Sequence, residues 1–378
     1  MAKSKLVAVD GTNVTLALWH TTKGERTSNN RPKGMVSAFV SYLFRIMEEY
    51  APDIVVIFFD ALLDNNGAMT WRREVYPSYK ANRVRSDEDK KAFTQEYVPQ
   101  FKALLHFLRC AGIPHIAPDS AGLSKAEADD LIALLATSEV IQSECDMIIH
   151  STDKDMRQLA RWGSCRIASP FDKEGKIYHQ PKENGPLCCG PLVEAPSPET
   201  YLFMRAIIGD SSDNVQGIPG VGEKTVQANV VEPIMPREKL YAYISRCAPM
   251  WREDKRMQRV LMPESIKTIY RNVALLGLIP PHRNIGFRYY GKCKQGRKYT
   301  VETAVYRLLY SLRGKRVDKP DDWFRRFAVS YELPEWDRLP MLWQKQYALH
   351  SLSIESAKML YLLEKGCLTA KRETDKGG

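Results

Sequence analysis

Histidine and cysteine are scarce in this chain of 378 residues, at 7 and 8 respectively. The cysteines stand at 110, 145, 165, 188, 189, 247, 293 and 367, with no repeated interval and no paired CxxC units. That pattern excludes the common structural zinc frameworks and reads as reduced thiols in an intracellular protein. No apolar stretch reaches the roughly 18 residues that span a bilayer, and the opening MAKSKLVAVDG holds too short an apolar run for a signal peptide. No internal repeat is visible. What is present is an apolar content of 44%, enough for a substantial core in two or three structural units, and a net charge of +10 from 55 basic and 45 acidic residues. Such an excess is compatible with a polyanionic partner but does not by itself identify one.

Three apolar, β-branched runs read as buried strands: KLVAVD ending at Asp10, DIVVIFFD ending at Asp60, and DMIIH leading to Asp153 and Asp155. Helix-like stretches lie between them, including MVSAFVSYLFRIMEEY from Met35 and KAFTQEYVPQFKALLHFLRCAGIP from Lys91. The expectation is an α/β domain with a mostly parallel central sheet flanked by helices. Ligands of such sheets sit beyond the carboxyl ends of the strands, where all three runs deliver an acid. A helix opened by Ser124, with Glu127 at its third position as a capping box, adds Asp129 and Asp130. At 100° per residue Glu127 and Asp130 lie about 60° apart and Asp129 about another 100° round, leaving Leu131, Ile132 and Leu135 for the core.

Each acid alone has an ordinary reading as a helix cap, a turn residue or a complement to a helix dipole. Together, Asp10, Asp60, Glu127, Asp129, Asp130, Asp153 and Asp155 would repel one another at one sheet edge unless protonated or neutralised. All-oxygen ligation suits Mg²⁺ or Mn²⁺, and so many carboxylates favour two or more ions and phosphodiester hydrolysis. VDGT at 9–12 resembles the first motif of haloacid-dehalogenase-like phosphatases, but the nucleophilic aspartate's position holds Ala8, which removes that route.

GDSSDNVQGIPGVGEKT, from Gly209 to Thr225, reads as a helix-hairpin-helix clamp for a duplex backbone. Gly217, Gly220 and Gly222 permit a tight turn with outward amides, Pro219 fixes it, and Lys224 before Thr225 adds charge. Asp210 and Asp213 precede the hairpin and can turn back toward the acidic crevice. Between about 60 and 100, MTWRREVYPSYKANRVRSDEDK interleaves Arg72, Arg73, Lys80, Arg83 and Arg85 with Trp71, Tyr76 and Tyr79. This composition suits a mobile or ligand-ordered segment with little core, its aromatics stacking on unpaired bases and its cations gripping phosphates. Lys80 and Arg83 would steady the scissile phosphate.

The order DGTN, FFD, WRREVYPSYKANR, EADD, TDKDMRQL and GDSSDNVQGIPGVGEKT resembles the 5′ nuclease, or flap endonuclease, family over roughly residues 5–280. The likeness is to bacterial and phage 5′→3′ exonucleases and to the 5′ nuclease domain of DNA polymerase I. It implies a PIN-like metal-dependent nuclease domain over 1–195 with a helical arch at about 65–105, a helix-hairpin-helix (helix-three-turn-helix) duplex-binding region over 196–290, and a mainly helical extension of unknown role over 291–378. It implies that Asp10, Asp60, Glu127 and Asp129 hold the ion nearest the reaction and that Asp130, Asp153, Asp155, Asp210 and Asp213 surround a second. Lys80 and Arg83 match the basic residues at the base of the arch, Arg72 the arginine before it, and Tyr79 an aromatic position stacking on a displaced nucleotide. Trp71 stands where relatives commonly carry phenylalanine. Hairpin carbonyls and Ser212 would bind K⁺.

The implied reaction is metal-dependent hydrolysis of DNA carrying a 5′ flap or 5′ end, and of RNA primers in RNA–DNA hybrids, leaving 5′-phosphate and 3′-hydroxyl products. The resemblance places it in the cytoplasm of a bacterium or a phage-infected host. No membrane is expected, and the extension could meet a replication protein, cover the core or extend duplex contact through GKCKQGRK. Two other readings stand beside this one: a catalytically silent DNA-junction binder, and a single-strand ribonuclease on a related fold.

Overall fold

The computed structural model describes residues 3–60, 70–83, 86–118, 125–160, 165–171, 177–178, 187–188, 194–235, 238–278 and 322–333. Strand β1 (Ser4–Asp10) runs into helix α1 (Gly11–Thr21), followed by α2 (Gly34–Tyr50), β2 (Ile54–Phe58) and the short α3 (Trp71–Val75). Next comes a continuous helical path of α4 (Asp87–Ala92), a π-helical turn (Phe93–Tyr97) and α5 (Val98–Cys110). After it lie β3 (His115–Ile116), α6 (Ala128–Ala136), α7 (Glu139–Glu144), β4 (Cys145–His150), a 3₁₀ turn (Lys154–Leu159), β5 (Cys165–Ala168) and β6 (Ile177–Tyr178). Two small antiparallel ladders, β7 (Leu187–Cys188) with β8 (Glu194–Ala195) and β9 (Gly209–Asp210) with β10 (Val215–Gln216), bracket α8 (Pro198–Ile208). The rest is helical: α9 (Glu223–Asn229), α10 (Leu240–Trp251), α11 (Pro263–Leu276) and α12 (Asp322–Ser330).

The main sheet has the order β3-β2-β1-β4-β5-β6, parallel except for the β5–β6 edge pair. Leu6 to Val9 on β1 are fully buried because helices cover both faces, which is why the strand reads as an unbroken apolar run. One core layer joins the sheet to α6, α8, α10 and α11, and the other joins it to α1, α2, α5 and α12. Register does the positioning: Asp10 pairs with Phe58, and Val9 with His150. Asp10, Asp60 two residues beyond β2, and the Ser151–Asp155 turn beyond β4 therefore leave the same sheet edge.

Two sequence expectations need correction. Helix α6 starts at Ala128, not Ser124, with Glu127 as its N-cap, so the cap is a Glu127/Asp130 pair; Ser124 lies outside the described residues. The basic segment does contribute core, since Trp71, Tyr79 and Tyr97 are each at most 2% exposed. The reason is that Arg72, Tyr79 and Lys80 bond to the carboxylates at the start of α6 and hold the segment down, so that its aromatics are buried. Of the expected arch at about 65–105, residues 65–69, 84 and 85 lie outside the described residues, and the helical path Asp87–Cys110 spans about 36 Å by its rise per residue.

Residues 322–333 of the C-terminal extension cover the core layer formed by α1, α2 and α5. Phe327 sits 5.4 Å from Phe107 of α5, Arg31 lies over the Tyr331 ring, and Glu332 accepts from Lys33 Nζ at 2.6 Å and from the Ser28 amide at 2.7 Å. The stretch GKCKQGRK and the remainder of the extension lie outside the described residues.

Candidate active site

Asp10 ends β1 and caps α1, its Oδ1 accepting from the Asn13 amide at 3.1 Å and its Oδ2 from Ser151 Oγ at 2.9 Å. Thr12 Oγ1 accepts from the Asp60 amide at 2.8 Å, and Asp60 Oδ1 accepts from the Ala128 amide at 2.7 Å. This short chain of bonds ties the ends of β1 and β2 to the start of α6. Burial, reinforced by Asp60 and Asp153, pushes the Asp10 carboxyl up to about 7. Burial and then Glu127 raise Asp60 in the same way. The edge therefore carries more negative charge than its surroundings easily solvate.

Part of that charge is met by two cations from the basic segment. Arg72, 1% exposed, donates from Nη1 to Glu127 Oε2 at 2.6 Å and to Asp130 Oδ2 at 3.0 Å, and from Nη2 to Asp130 Oδ1 at 2.7 Å. Its Nε reaches the Leu275 carbonyl at 2.8 Å, and Trp71 Nε1 also donates to Asp130 Oδ2. Lys80 Nζ pairs with Glu127 Oε1 at 2.6 Å, and Tyr79 donates its hydroxyl to Glu127 Oε2 at 3.2 Å. Burial alone would raise Glu127, but Lys80 and Arg72 outweigh it and hold its carboxyl down to about 2. Conversely, burial would lower the Lys80 ammonium, and Glu127 and Asp213 overcome that to keep it protonated. Asp129 lies 3.5 Å from Arg72 and is nonetheless raised, by burial first and then by Asp130 and Glu127.

A second acidic group forms where the β4 turn meets α8. Asp153 caps the 3₁₀ turn by accepting from the Asp155 amide at 2.8 Å. Asp155 accepts from Arg205 Nε at 3.2 Å, and Asp210 pairs with Arg205 Nη2 and, at 3.3 Å, with Lys154. Burial and Asp153 raise Asp155 to about 7, with Arg205 opposing. Among the described residues, no three His, Cys, Asp or Glu side chains gather as a metal-holding group. In this arrangement Arg72, Lys80 and Arg205 hold the carboxylate oxygens instead. The sequence reading missed Arg205; the signal was an isolated arginine within the apolar YLFMRAII of α8.

The hairpin lies beside both groups. Arg83 pairs with Asp213 at 2.5 Å, Asn82 donates to the Ser211 carbonyl, the Lys80 amide to the Asp213 carbonyl, and Asn214 to the Ser78 carbonyl. These bonds fasten the 78–83 turn to the 211–214 loop. The Ser212 hydroxyl donates to Asp210 Oδ1 at 2.6 Å, and its carbonyl accepts from Arg83. Gly220 has φ +78°, and a Cβ on Gly217 would come within 2.1 Å of the Ile208 carbonyl, so both positions require glycine. Gly222 does not, since its Cβ would meet open space. Lys224 is exposed and Thr225 buried. Tyr79 is buried under Lys80 rather than displayed to a base, whereas half-buried Tyr76 carries Arg271 over its ring. Arg73 spends its Nε on the Tyr79 carbonyl.

An acidic sheet edge, a long helical path packed on α1 and α2 and a hairpin beside the acids define an α/β protein of the flap-endonuclease fold. The chain is similar in structure to a bacteriophage T5 D15 flap endonuclease solved with DNA and metal ions, at a TM-score of 0.58 and 21% identity, over 82% of this chain and 99% of that one. It is similar also to a T5 5′-exonuclease bound to zinc as divalent metal ions, at a TM-score of 0.57 and 20% identity over the same shares. Residues 5–182 match the family model described as the 5′-3′ exonuclease, N-terminal resolvase-like domain. That match spans just under half of the chain and marks a likeness to the 5′-3′ exonuclease family. Relatives include the 5′-3′ exonuclease of Bacillus subtilis, 28% identical over 60% of this chain and 69% of that protein. DNA polymerase I of Pseudomonas aeruginosa is 28% identical over 65% of this chain, and the match spans only 24% of the polymerase.

Proposed function

We propose that this chain is a structure-specific 5′→3′ exonuclease and flap endonuclease that hydrolyses DNA phosphodiesters with divalent cations. The observation that supports it most is the junction of Asp10, Asp60 and Glu127, from three separate elements, at one sheet edge with Lys80 2.6 Å from Glu127. The likeness of residues 5–182 to the 5′-3′ exonuclease model, and the DNA and metal ions in the T5 flap endonuclease structure, add to it.

The donor set fits a hard cation, because it is wholly carboxylate and because Asp10 and Asp155, at about 7, mark an excess of buried negative charge. Asp10, Asp60, Glu127 and Asp129 would hold one Mg²⁺ or Mn²⁺, and Asp130, Asp153, Asp155, Asp210 and Asp213 would surround a second. When bound, such ions supply an activated water and offset charge on the attacking and leaving oxygens. The chain's own cations position the substrate. Lys80 would exchange Glu127 for a phosphate oxygen, and Arg83, whose side chain is 54% exposed, would exchange Asp213 for another. Arg72 stays buried and keeps Glu127 and Asp130 aligned. Arg73 and Tyr76 would contact the incoming strand, and the hairpin with Gly217, Gly220, Gly222, Lys224 and Thr225 would grip duplex. K⁺ would add to that grip near Ser212. The units of the chain would then be nuclease (1–195) and duplex-binding (196–290), with the 5′ strand led under the arch and its terminal nucleotides unstacked.

The test uses a 5′-labelled flap duplex, the matched single strand and an RNA-primed duplex, each with Mg²⁺ or EDTA. Expected is metal-dependent release near the junction, lost in Asp129→Ala with duplex binding kept, and slowed in Lys80→Ala. Tight flap binding without cleavage in Mg²⁺ or Mn²⁺ would make the silent junction binder the better account. Cleavage of the single strand with no need for adjacent duplex would favour a single-strand nuclease.

A further inference from the structure

The hairpin is not the end of the basic surface. Between α10 and the 3₁₀ turn at Met257–Leu261, the sequence REDKRMQR puts Arg252, Lys255, Arg256 and Arg259 on exposed positions. The backbone of this stretch is anchored from below. Trp251, Met257 and Val260 are fully buried, and Trp251 Nε1 donates to the Asn229 carbonyl at the end of α9 at 2.9 Å. The Asp254 carboxylate accepts from the Arg256 amide at 2.7 Å, the Met257 amide at 3.0 Å and Asn229 Nδ2 at 3.4 Å. Its charge is thus spent on holding the turn, leaving Glu253 as the other acid there.

Two of the cations lead directly to the hairpin. Arg259 Nη1 donates to the Pro219 carbonyl at 3.0 Å and lies so close that a Cβ on Gly220 would come within 2.2 Å of it. Arg256 Nη1 donates to Thr225 Oγ1 at 3.3 Å, beside exposed Lys224. Arg252 and Lys255 have no side-chain hydrogen bond or ion pair among the described residues. Unspent cations on a backbone held this firmly are costly to arrange by chance and are suited to fixed phosphates.

We infer that Arg252, Lys255 and Arg256 form a second phosphate-binding element, continuous with the hairpin, that lengthens the grip on the duplex backbone. Arg259 is a positioning residue that holds the hairpin turn. This rests on the proposed duplex-binding function. The partner is the double-stranded backbone rather than any base, because the element offers charge without an exposed aromatic among its cations.

The experiment measures the affinity of the full chain for a labelled blunt DNA duplex, by fluorescence anisotropy across 50–200 mM salt without divalent metal. Three phosphate contacts contribute about 2.7 to the slope of log affinity against log salt. The triple variant Arg252→Gln, Lys255→Gln, Arg256→Gln should therefore be shallower by about that amount. Over this fourfold range it should lose about 40-fold less affinity than the wild type. A variant with Arg252→Lys and Arg256→Lys should keep the wild-type slope, because released counterions follow charge. The control triple Lys3→Gln, Lys5→Gln, Lys23→Gln, exposed positions outside the hairpin and the arch, should also keep it. A triple variant parallel to wild type, or a control that falls equally, overturns the inference while leaving the nuclease reading intact. A wild type that does not bind duplex would sink the proposed function itself.

Discussion

Replacing Arg72 by methionine removes a fully buried guanidinium whose stem the methionine can partly replace, while its charge and donors are lost. Glu127 and Asp130 lose their bonds at 2.6, 3.0 and 2.7 Å, and the Leu275 carbonyl in the last turn of α11 loses its donor at 2.8 Å. Breaking a buried pair from one side costs about 3–5 kcal/mol, because the remaining charge is left in a poorly solvating site. Lys80 and Trp71 still reach Glu127 and Asp130, which favours the lower end, about 3 kcal/mol. Urea unfolding followed by fluorescence and by circular dichroism measures it. Adding Asp130→Asn to the Arg72→Met background should return part of the loss, since the second change removes the stranded charge. A loss below about 1 kcal/mol, or a double variant less stable by the full sum of the two singles, would refute a buried electrostatic clamp at this position.

Other consequences concern separate parts of the molecule. Burial lowers His150 from 6.5 to about 4 in the fold, so below pH 6.5 the unfolded chain binds a proton that the folded chain refuses, and stability falls with pH down to about 4. The stability difference between wild type and His150→Asn should then shift against the wild type by about 3 kcal/mol from pH 7 to pH 4; parallel pH curves would contradict it. Phe327→Ala should cost about 3 kcal/mol in thermal or urea unfolding, because the ring is 5% exposed against Phe107 and Tyr331, and an unchanged midpoint would mean that α12 does not cover the core. Gly220→Ala should weaken duplex binding several-fold in the same anisotropy assay, through its φ of +78° and its crowding of Arg259, whereas Gly222→Ala, whose Cβ meets no protein atom, should leave the thermal unfolding midpoint unchanged.

Much of this was readable in the residues because strands end where their charge begins. KLVAVD and DIVVIFFD carry their direction in their composition, so a parallel sheet with acids on its carboxyl edge follows from pattern alone, as does the glycine turn at 217–220. The start of α6 was not readable, since Ser124 and Glu127 both satisfy a capping pattern, and what marks Glu127 is the reciprocal bond with Asp130 together with the tertiary bond of the Ala128 amide to Asp60. The basic segment misled for a related reason. Arginine and lysine score as solvated residues, yet Arg72 is buried through three carboxylates that are remote in sequence. Arg205, Arg256 and Arg259 gain their meaning from partners outside their own helices or turns, on Asp155, Thr225 and Pro219. The docking of Phe327 on Phe107, 220 residues away in the chain, has no local signature either.

The most direct test of the central claim is where, and with what ends, the wild-type protein cuts a 5′-flap duplex in Mg²⁺. The expected result is a break within a nucleotide or so of the junction, giving 5′-phosphate and 3′-hydroxyl products, and none in EDTA. Cleavage that persists in EDTA, or products with a 3′-phosphate, would contradict hydrolysis by a metal-dependent carboxylate centre at Asp10, Asp60, Glu127 and Asp129.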